Sequence, residues 1–239
     1  MSMKRTLRLF SPCGLLFSSL LWAQGITFTT RVEWENTKQD ANLSAEGVAV
    51  WLVPTGDILA VQPQNASHQH LMQRGKKFLP HVLIVPVGSI VEFPNRDPFF
   101  HNVFSLFEGK RFDLGLYEAG TTREVHFNKT GISYIFCNIH PEMSAVVIAI
   151  PTPYYAISNV QGEIVIPNVN AGHYLLHIWH EGIPPDKLDT ETREVVISER
   201  NSTLGALKLP ASSPLAAHKN KYGRDYDPPT PSAPGYDQP

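Results

Sequence analysis

The segment 137–143, with the sequence CNIHPEM, brings three metal-binding side chains together within seven residues. Cys137 offers a thiolate, His140 an imidazole and Met143 a thioether, and the segment directly follows the apolar run from Ser133 to Phe136. Thiolate and thioether ligands favour cuprous ion, whereas imidazole accepts copper in either oxidation state. This combination of donors predicts a site for a copper ion that changes its oxidation state.

A type 1 copper site requires one further histidine, because two histidine nitrogens and one cysteine sulfur form its plane and a methionine sulfur lies on its axis. The best candidate is His101, which stands well before Cys137 and follows the polar and aromatic stretch from Asn95 to Phe100. A ligand from a distant strand or loop allows a rigid sheet to fix the geometry. We predict one type 1 copper ion per chain, bound by His101, Cys137, His140 and Met143.

Other metal centres fit these donors less well. Structural zinc takes four Cys or His ligands, and catalytic zinc adds a carboxylate or water, so Met143 would have no role in either. Haem attachment needs a C-x-x-C-H motif, and a binuclear copper centre needs a second cysteine. Neither is found in the sequence around the site.

The composition indicates which elements position these donors. The chain is 42% apolar and 18% charged, so it can bury a core, and its 20 prolines and 16 glycines separate many short runs of Val, Ile and Leu. This pattern favours short strands and turns over long helices. Candidate strands follow one another closely between residues 77 and 150, which is typical of a Greek-key sandwich or barrel. We predict an all-β protein.

The region 77–150 resembles a small cupredoxin of the amicyanin and plastocyanin group. The spacing C-x-x-H-x-x-M with Pro141 directly after the histidine is similar to amicyanin, and His101 followed by Asn102 matches the upstream pair of that family. The resemblance implies a Greek-key sandwich that carries single electrons, with Asn102 bracing the cysteine loop by hydrogen bonding. It also implies a redox partner protein, whose identity is unknown, and a role similar to methylamine utilization.

The residues beside the site argue against an enzyme. In multicopper oxidases and copper nitrite reductases, as the family resemblance implies, a histidine next to the type 1 cysteine leads to a catalytic copper, whereas Phe136 and Asn138 occupy those positions here. His68 and His70 form a His-x-His pattern in the polar segment 64–76, which predicts a solvated loop or linker. His177 shares a strand face with Trp179, which favours structural packing.

A second β-sandwich is indicated by the region 154–209. Its segment 159–174, NVQGEIVIPNVNAGHY, resembles the second half of a carboxypeptidase-regulatory-like, transthyretin-like sandwich, and the segment 47–54, GVAVWLVP, resembles the first half. We expect residues 45–54 to pair with strands from 154–209, because neither part buries enough surface alone. The copper module is then inserted into the second sandwich, or the chain forms two sequential β domains with an irregular N-terminal arm.

The two ends of the chain differ from its middle. Lys4, Arg5 and Arg8 precede a mostly apolar stretch that ends near Ala23, as in a secretory signal peptide. Its removal takes away three basic residues and Cys13, so the formal net charge of −2 becomes more negative and Cys137 remains as the only thiol. Nucleic acid is therefore an unfavourable partner, no other segment is apolar enough to span a membrane, and we expect a periplasmic or secreted protein.

The predicted organisation has five parts. They are a signal peptide at 1–23, N-terminal strands at 26–63 that can belong to the second sandwich, a cupredoxin-like copper domain at 64–150, a carboxypeptidase-regulatory-like sandwich at 151–209, and a disordered, proline-rich tail at 210–239. The tail lacks a hydrophobic period, so we expect its removal to leave copper binding intact.

The leading hypothesis is an exported blue copper protein that carries single electrons between redox partners. One alternative is an extracytoplasmic copper carrier or storage protein that uses the same ligands. The other is a structural or substrate-binding β protein that keeps the fold without a metal.

Overall fold

The computed structural model describes residues 25–35, 44–55, 68–106, 109–189, 191–210 and 218–226. Regular structure in these ranges is almost entirely β-strand, which confirms the expected all-β class, and α1 (Pro185–Asp189) is a short helix. Within the same ranges, no helix has the length and apolar character needed to cross a bilayer. The signal peptide expected at 1–23 lies outside the described residues.

The strands are numbered in chain order. Their bounds are Ile26–Trp34 (β1), Ala49–Pro54 (β2), His68–His70 (β3), Met72–Gln73 (β4), Phe78–Leu79 (β5), Val82–Pro86 (β6), Ser89–Pro94 (β7), His101–Ser105 (β8), Phe112–Tyr117 (β9), Thr122–Phe127 (β10), Gly131–Cys137 (β11), Ser144–Ile150 (β12), Tyr155–Ile157 (β13), Glu163–Val169 (β14), Gly172–Trp179 (β15), Arg193–Ile197 (β16) and Thr203–Leu209 (β17).

The first sandwich is built from β3 to β12. One sheet has the order β6-β12-β11-β8-β9, the other has the order β10-β7-β3, and β4 pairs with β5 beside them. Large side chains from the two main sheets, such as Phe93, Phe127 and Ile135, are fully buried between them. Cys137 and Met143 belong to the same buried cluster, so two of the predicted ligands are part of this core.

The second sandwich combines strands from both ends of the described chain. Its sheets have the orders β14-β1-β17 and β13-β2-β15-β16. Alternate apolar residues of these strands, including Phe28, Leu52, Ile164 and Tyr174, are buried in one cluster. The alternation follows from the strand geometry, which sends successive side chains to opposite faces.

The pairing expected for residues 45–54 is confirmed. Strand β2 lies antiparallel to β15, with Leu52 opposite Leu176, and antiparallel to β13 on its other edge. The chain therefore leaves the second sandwich after β2, forms the first sandwich, and returns to the second at β13. This connectivity favours insertion of the first sandwich into the second over two sequential domains.

The two sandwiches pack against each other through β12. Its residues Val147 and Ala149 point into the core of the first sandwich, whereas Val146, Ile148 and Ile150 belong to the cluster that contains the core of the second. Strand β12 is therefore buried on both faces. Its nearly continuous apolar sequence is the pattern expected for such a strand.

The polar segment 64–76 differs from the loop or linker predicted for it. Within its described part, β3 runs parallel to β7 with His68 opposite Ile90, and Leu71 after it is fully buried. A strand at the edge of a sheet pairs through backbone groups and needs no apolar alternation, so a polar sequence can occupy this position.

Candidate metal centre

Two neighbouring strands place the predicted nitrogen and sulfur donors. His101 is the first residue of β8, Cys137 is the last residue of β11, and these strands pair antiparallel with Cys137 opposite Val103. His140 follows in the loop after β11. The ligand atoms of His101, Cys137 and His140 all lie within 4.8 Å of one another, and all three residues are buried. They are the one such group among the described residues.

The separations suit a single shared ion. The Cys137 Sγ atom lies 3.7 Å from His101 Nδ1 and 3.5 Å from His140 Nδ1. Nitrogen and sulfur donors bound in a plane about 2.0–2.3 Å from one metal ion lie about 3.7 Å apart. The donor set therefore fits a metal ion in both chemistry and spacing.

The loop 138–143 folds back on the end of β11. The backbone N–H of Cys137 donates to the carbonyl of Met143 at 3.2 Å, and the N–H of Met143 donates to the carbonyl of His140 at 3.1 Å. Met143 is fully buried at the base of this loop, directly before β12. Its role as an axial ligand remains a prediction that these backbone contacts favour.

His101 is oriented by a buried carboxylate. Its Nε2 atom lies 2.9 Å from Asp97 Oδ2, which leaves Nδ1 facing Cys137. Asp97 also accepts hydrogen bonds from the backbone N–H groups of Gly75 and Lys76. Burial tends to raise the pKa of Asp97, but the hydrogen bonds from Lys76, Gly75 and His101 outweigh it and hold that pKa below its usual value. Asp97 is therefore an anion that fixes one ligand ring.

Both histidines are held in the neutral form that binds metal. Burial, and to a smaller extent the charge of His101, lower the pKa of His140 to about 4. Burial also lowers the pKa of His101, although Asp97 opposes the effect. The ring of Phe99 packs against both imidazoles, at 5.3 Å from His101 and 5.5 Å from His140. This environment keeps the ring nitrogens that would bind a metal unprotonated at neutral pH.

The thiol of Cys137 is protonated in the metal-free protein. Burial raises its pKa, and the backbone hydrogen bonds of Ile139, Asn102 and His140 only partly oppose this effect. Because a metal ion binds the thiolate, binding must release the thiol proton.

Asn102 braces the cysteine loop through its backbone, not its side chain. Its carbonyl accepts a hydrogen bond from the N–H of Asn138 at 2.9 Å. Its side-chain amide instead donates to Asp113 Oδ1 at 2.7 Å. The bracing implied by the family resemblance is present, but a different group provides it.

The other histidines considered from the sequence lie apart from this centre. His68 and His70 each contact the carboxylate of Glu92 on β7. His177 stacks on Trp51 with the rings 5.2 Å apart, as expected for a packing role.

Sequence reasoning missed two features of the site. The first is Asp97, which stands four residues before His101 in a turn-forming sequence. This spacing could have indicated that the Asp97 carboxylate contacts the His101 ring.

The second feature is the segment 218–226, which belongs to the tail expected to be disordered. In the structure, His218 stacks on Phe136 at 4.1 Å and Tyr226 Oη donates to the carbonyl of Cys137 at 2.7 Å. This segment is held by ring contacts and hydrogen bonds. These contacts leave no hydrophobic period in the sequence, so its order could not be predicted from that pattern.

Comparison with solved structures finds cupredoxins that match about a third of this chain. A purple cupredoxin from Nitrosopumilus maritimus is 23% identical with a TM-score of 0.31, and the match covers 35% of this chain and 99% of that one. A reduced amicyanin variant is 21% identical with a TM-score of 0.32, covering 34% and 80%.

A copper-containing nitrite reductase from Thermus scotoductus is 26% identical with a TM-score of 0.34. That match covers 35% of this chain and 22% of the reductase, so the chain corresponds to only a small part of that enzyme. No protein-family model and no curated protein matches the chain.

Proposed function

We propose that this protein binds one copper ion in a type 1 site and carries single electrons between redox partners outside the cytoplasm. The residues that would hold the ion are His101, Cys137, His140 and Met143. The observation that carries the proposal is the buried cluster of two imidazole nitrogens and one thiol sulfur within 4.8 Å. Two imidazoles, one thiolate and a thioether are the donors of an electron-transfer copper site.

The strands and side chains around the site would each contribute to this function. A bound copper ion would supply the reversible exchange of one electron. The strands β8 and β11 hold two ligands on a paired sheet, which limits ligand movement when the charge of the site changes. Asp97 holds the ring of His101, and Phe99 shields both imidazoles from water. His140 is 9% exposed, so the site approaches the surface through this ligand.

Copper titration followed by visible spectroscopy tests the proposal. We expect one copper ion per chain and an intense visible band, because a short bond between the Cys137 sulfur and Cu(II) gives strong charge transfer. Zinc, which lacks this transition, serves as the metal control. Cys137→Ser should abolish the band even if some copper remains bound. A colourless wild-type protein, or a full band in Cys137→Ser, would contradict the type 1 assignment.

Voltammetry separates electron transfer from copper carriage. A carrier of electrons should cycle reversibly between Cu(II) and Cu(I) without losing the ion. Release of the ion upon reduction would instead support the alternative of a copper carrier or storage protein.

A further inference from the structure

The segment 218–226, named here the strap, contacts three consecutive residues at the end of β11. The ring of His218 stacks on Phe136 with an angle of 27° between the rings, and Tyr226 Oη donates to the carbonyl of Cys137. The backbone N–H of Lys221 donates to Asn138 Oδ1 at 3.0 Å. The strap therefore binds the predicted cysteine ligand and both of its neighbours in the chain.

A second anchor connects the strap to β9 and, through it, to β8. Lys221 Nζ lies 2.9 Å from Asp113 Oδ2, and the other oxygen of Asp113 accepts the hydrogen bond from Asn102. The backbone carbonyl of Asn102 also holds the loop, because it accepts a hydrogen bond from the N–H of Asn138. Both strands that carry predicted ligands are thus linked to the same segment.

The strap has an ordered structure of its own. The side-chain oxygen of Asn220 accepts hydrogen bonds from the N–H groups of Tyr222 and Arg224, which fixes a tight turn. The two rings that contact β11 also contact each other, since Tyr226 Oη lies 3.2 Å from His218 Nδ1. Displacement of the strap therefore breaks several contacts together.

We propose that the strap holds the loop 138–143 closed over the metal site and slows the exit of the metal, with Tyr226 as a positioning residue for Cys137. His101 is fully buried, whereas His140 is 9% exposed, so the loop that carries His140 forms the side of the site nearest to the surface and is the route by which an ion would leave. Opening of that loop moves Cys137 and Asn138 away from Tyr226 and Lys221. This inference rests on the proposed function, because it assumes that the cluster binds a metal.

The first test measures the rate at which copper passes from the reduced, loaded full-length chain to an excess of a Cu(I) chelator. Loss of one hydrogen bond in Tyr226→Phe should increase this rate by about two- to tenfold. Tyr155→Phe on β13 is the matched control, because it removes the same hydroxyl group from a strand of the second sandwich, which contributes none of the strap contacts named above. His218→Ala, which removes the stacking ring, should act in the same direction as Tyr226→Phe. Equal transfer rates in wild type, Tyr226→Phe and His218→Ala would overturn the proposal.

The second test uses metal-free protein, so it does not depend on copper binding. Amide hydrogen exchange in residues 138–143 should be faster in Tyr226→Phe than in wild type, while exchange in the sheet β14-β1-β17 stays unchanged. Unchanged exchange in the loop would overturn the proposal that the strap holds this loop closed. If wild type binds no copper but loop exchange is faster in Tyr226→Phe, the proposed function is overturned, whereas the contact by which the strap holds the loop is supported.

Discussion

At the scale of single residues, the environment of His101 would orient this predicted ligand before a metal binds. Its ring is fixed on one side by Asp97, and Asp97 is itself fixed by backbone N–H groups of the loop at 75–76. A carboxylate on the far nitrogen of a ligating histidine orients the ring and increases its basicity. Asp97 should therefore influence both the geometry and the redox behaviour of the site.

Asp97→Asn should raise the reduction potential of the copper-loaded protein. The substitution removes a negative charge near the ion, and this loss destabilises Cu(II) more than Cu(I). Voltammetry measures the change, with Glu124→Gln on the exposed face of β10 as a control for the loss of a distant carboxylate. A potential that is unchanged or lower would contradict this role of Asp97.

Met143→Gln should keep copper bound and lower the reduction potential. The axial bond in a type 1 site is long and weak, so its loss affects affinity less than the loss of a ligand in the plane. The amide oxygen of Gln is a harder donor than a thioether and favours Cu(II). Titration and voltammetry on the same variant test both parts. Loss of copper, as expected for His101→Ala or His140→Ala, would show that Met143 has a larger role.

At the scale of elements, β12 is the strand on which both sandwiches depend. It pairs with β11 and β6, and its two faces contribute to two different buried clusters. Since β11 ends at Cys137 and β12 begins directly after Met143, the same pair of strands also sets the span of the ligand loop. Packing between the sandwiches therefore bears directly on the site.

Ile148→Ala should reduce the free energy of unfolding by about 2–5 kcal/mol, because it removes a fully buried side chain and leaves a cavity. The side chain of Ile148 is 1% exposed. Val165→Ala on β14 is the control, since Val165 is 54% exposed and should cost less than about 0.5 kcal/mol. Chemical denaturation of both variants gives the comparison. A small effect of Ile148→Ala would show that the second face of β12 is not tightly packed.

At the scale of the whole molecule, the metal-free protein should lose stability as the pH falls from about 6.5 to about 4. The pKa of His140 is lowered from 6.5 to about 4 by burial in the folded chain, so the unfolded chain takes up its proton first over this range. Proton uptake by the unfolded chain therefore lowers the free energy of unfolding, and this loss of stability is complete below pH 4. His101 contributes in the same direction.

His140→Asn isolates the contribution of this histidine. Denaturation of wild type and variant at several pH values should show a weaker pH dependence in the variant between pH 6.5 and 4. His81, whose pKa is raised by its hydrogen bond to Glu181, has the opposite effect in both proteins and cancels in the comparison. Identical pH profiles would contradict the burial of a neutral His140.

Several features of this protein could be predicted from its sequence because they depend on local patterns. The close succession of strands between residues 77 and 150 follows from short apolar runs separated by glycine and proline, and the spacing of Cys137, His140 and Met143 places them next to one another in the chain. His101 was predicted because a type 1 site needs a second histidine from a distant strand or loop, and the family resemblance through the pair His101 and Asn102 supported that choice. The sequence also predicted that residues 45–54 pair with a distant region, because each part is too small to fold alone.

Only the tertiary structure decided which distant groups complete the site. Asp97 contacts His101, the backbone carbonyl of Asn102 accepts the hydrogen bond from Asn138, and the segment 218–226 packs on Phe136. These contacts join parts of the chain that share no hydrophobic periodicity. Such contacts consist of single hydrogen bonds and ring stacks, whose partners are fixed by the folded backbone. Apolar periodicity predicts which face of a strand is buried, but it carries no information about which side chain lies against that face.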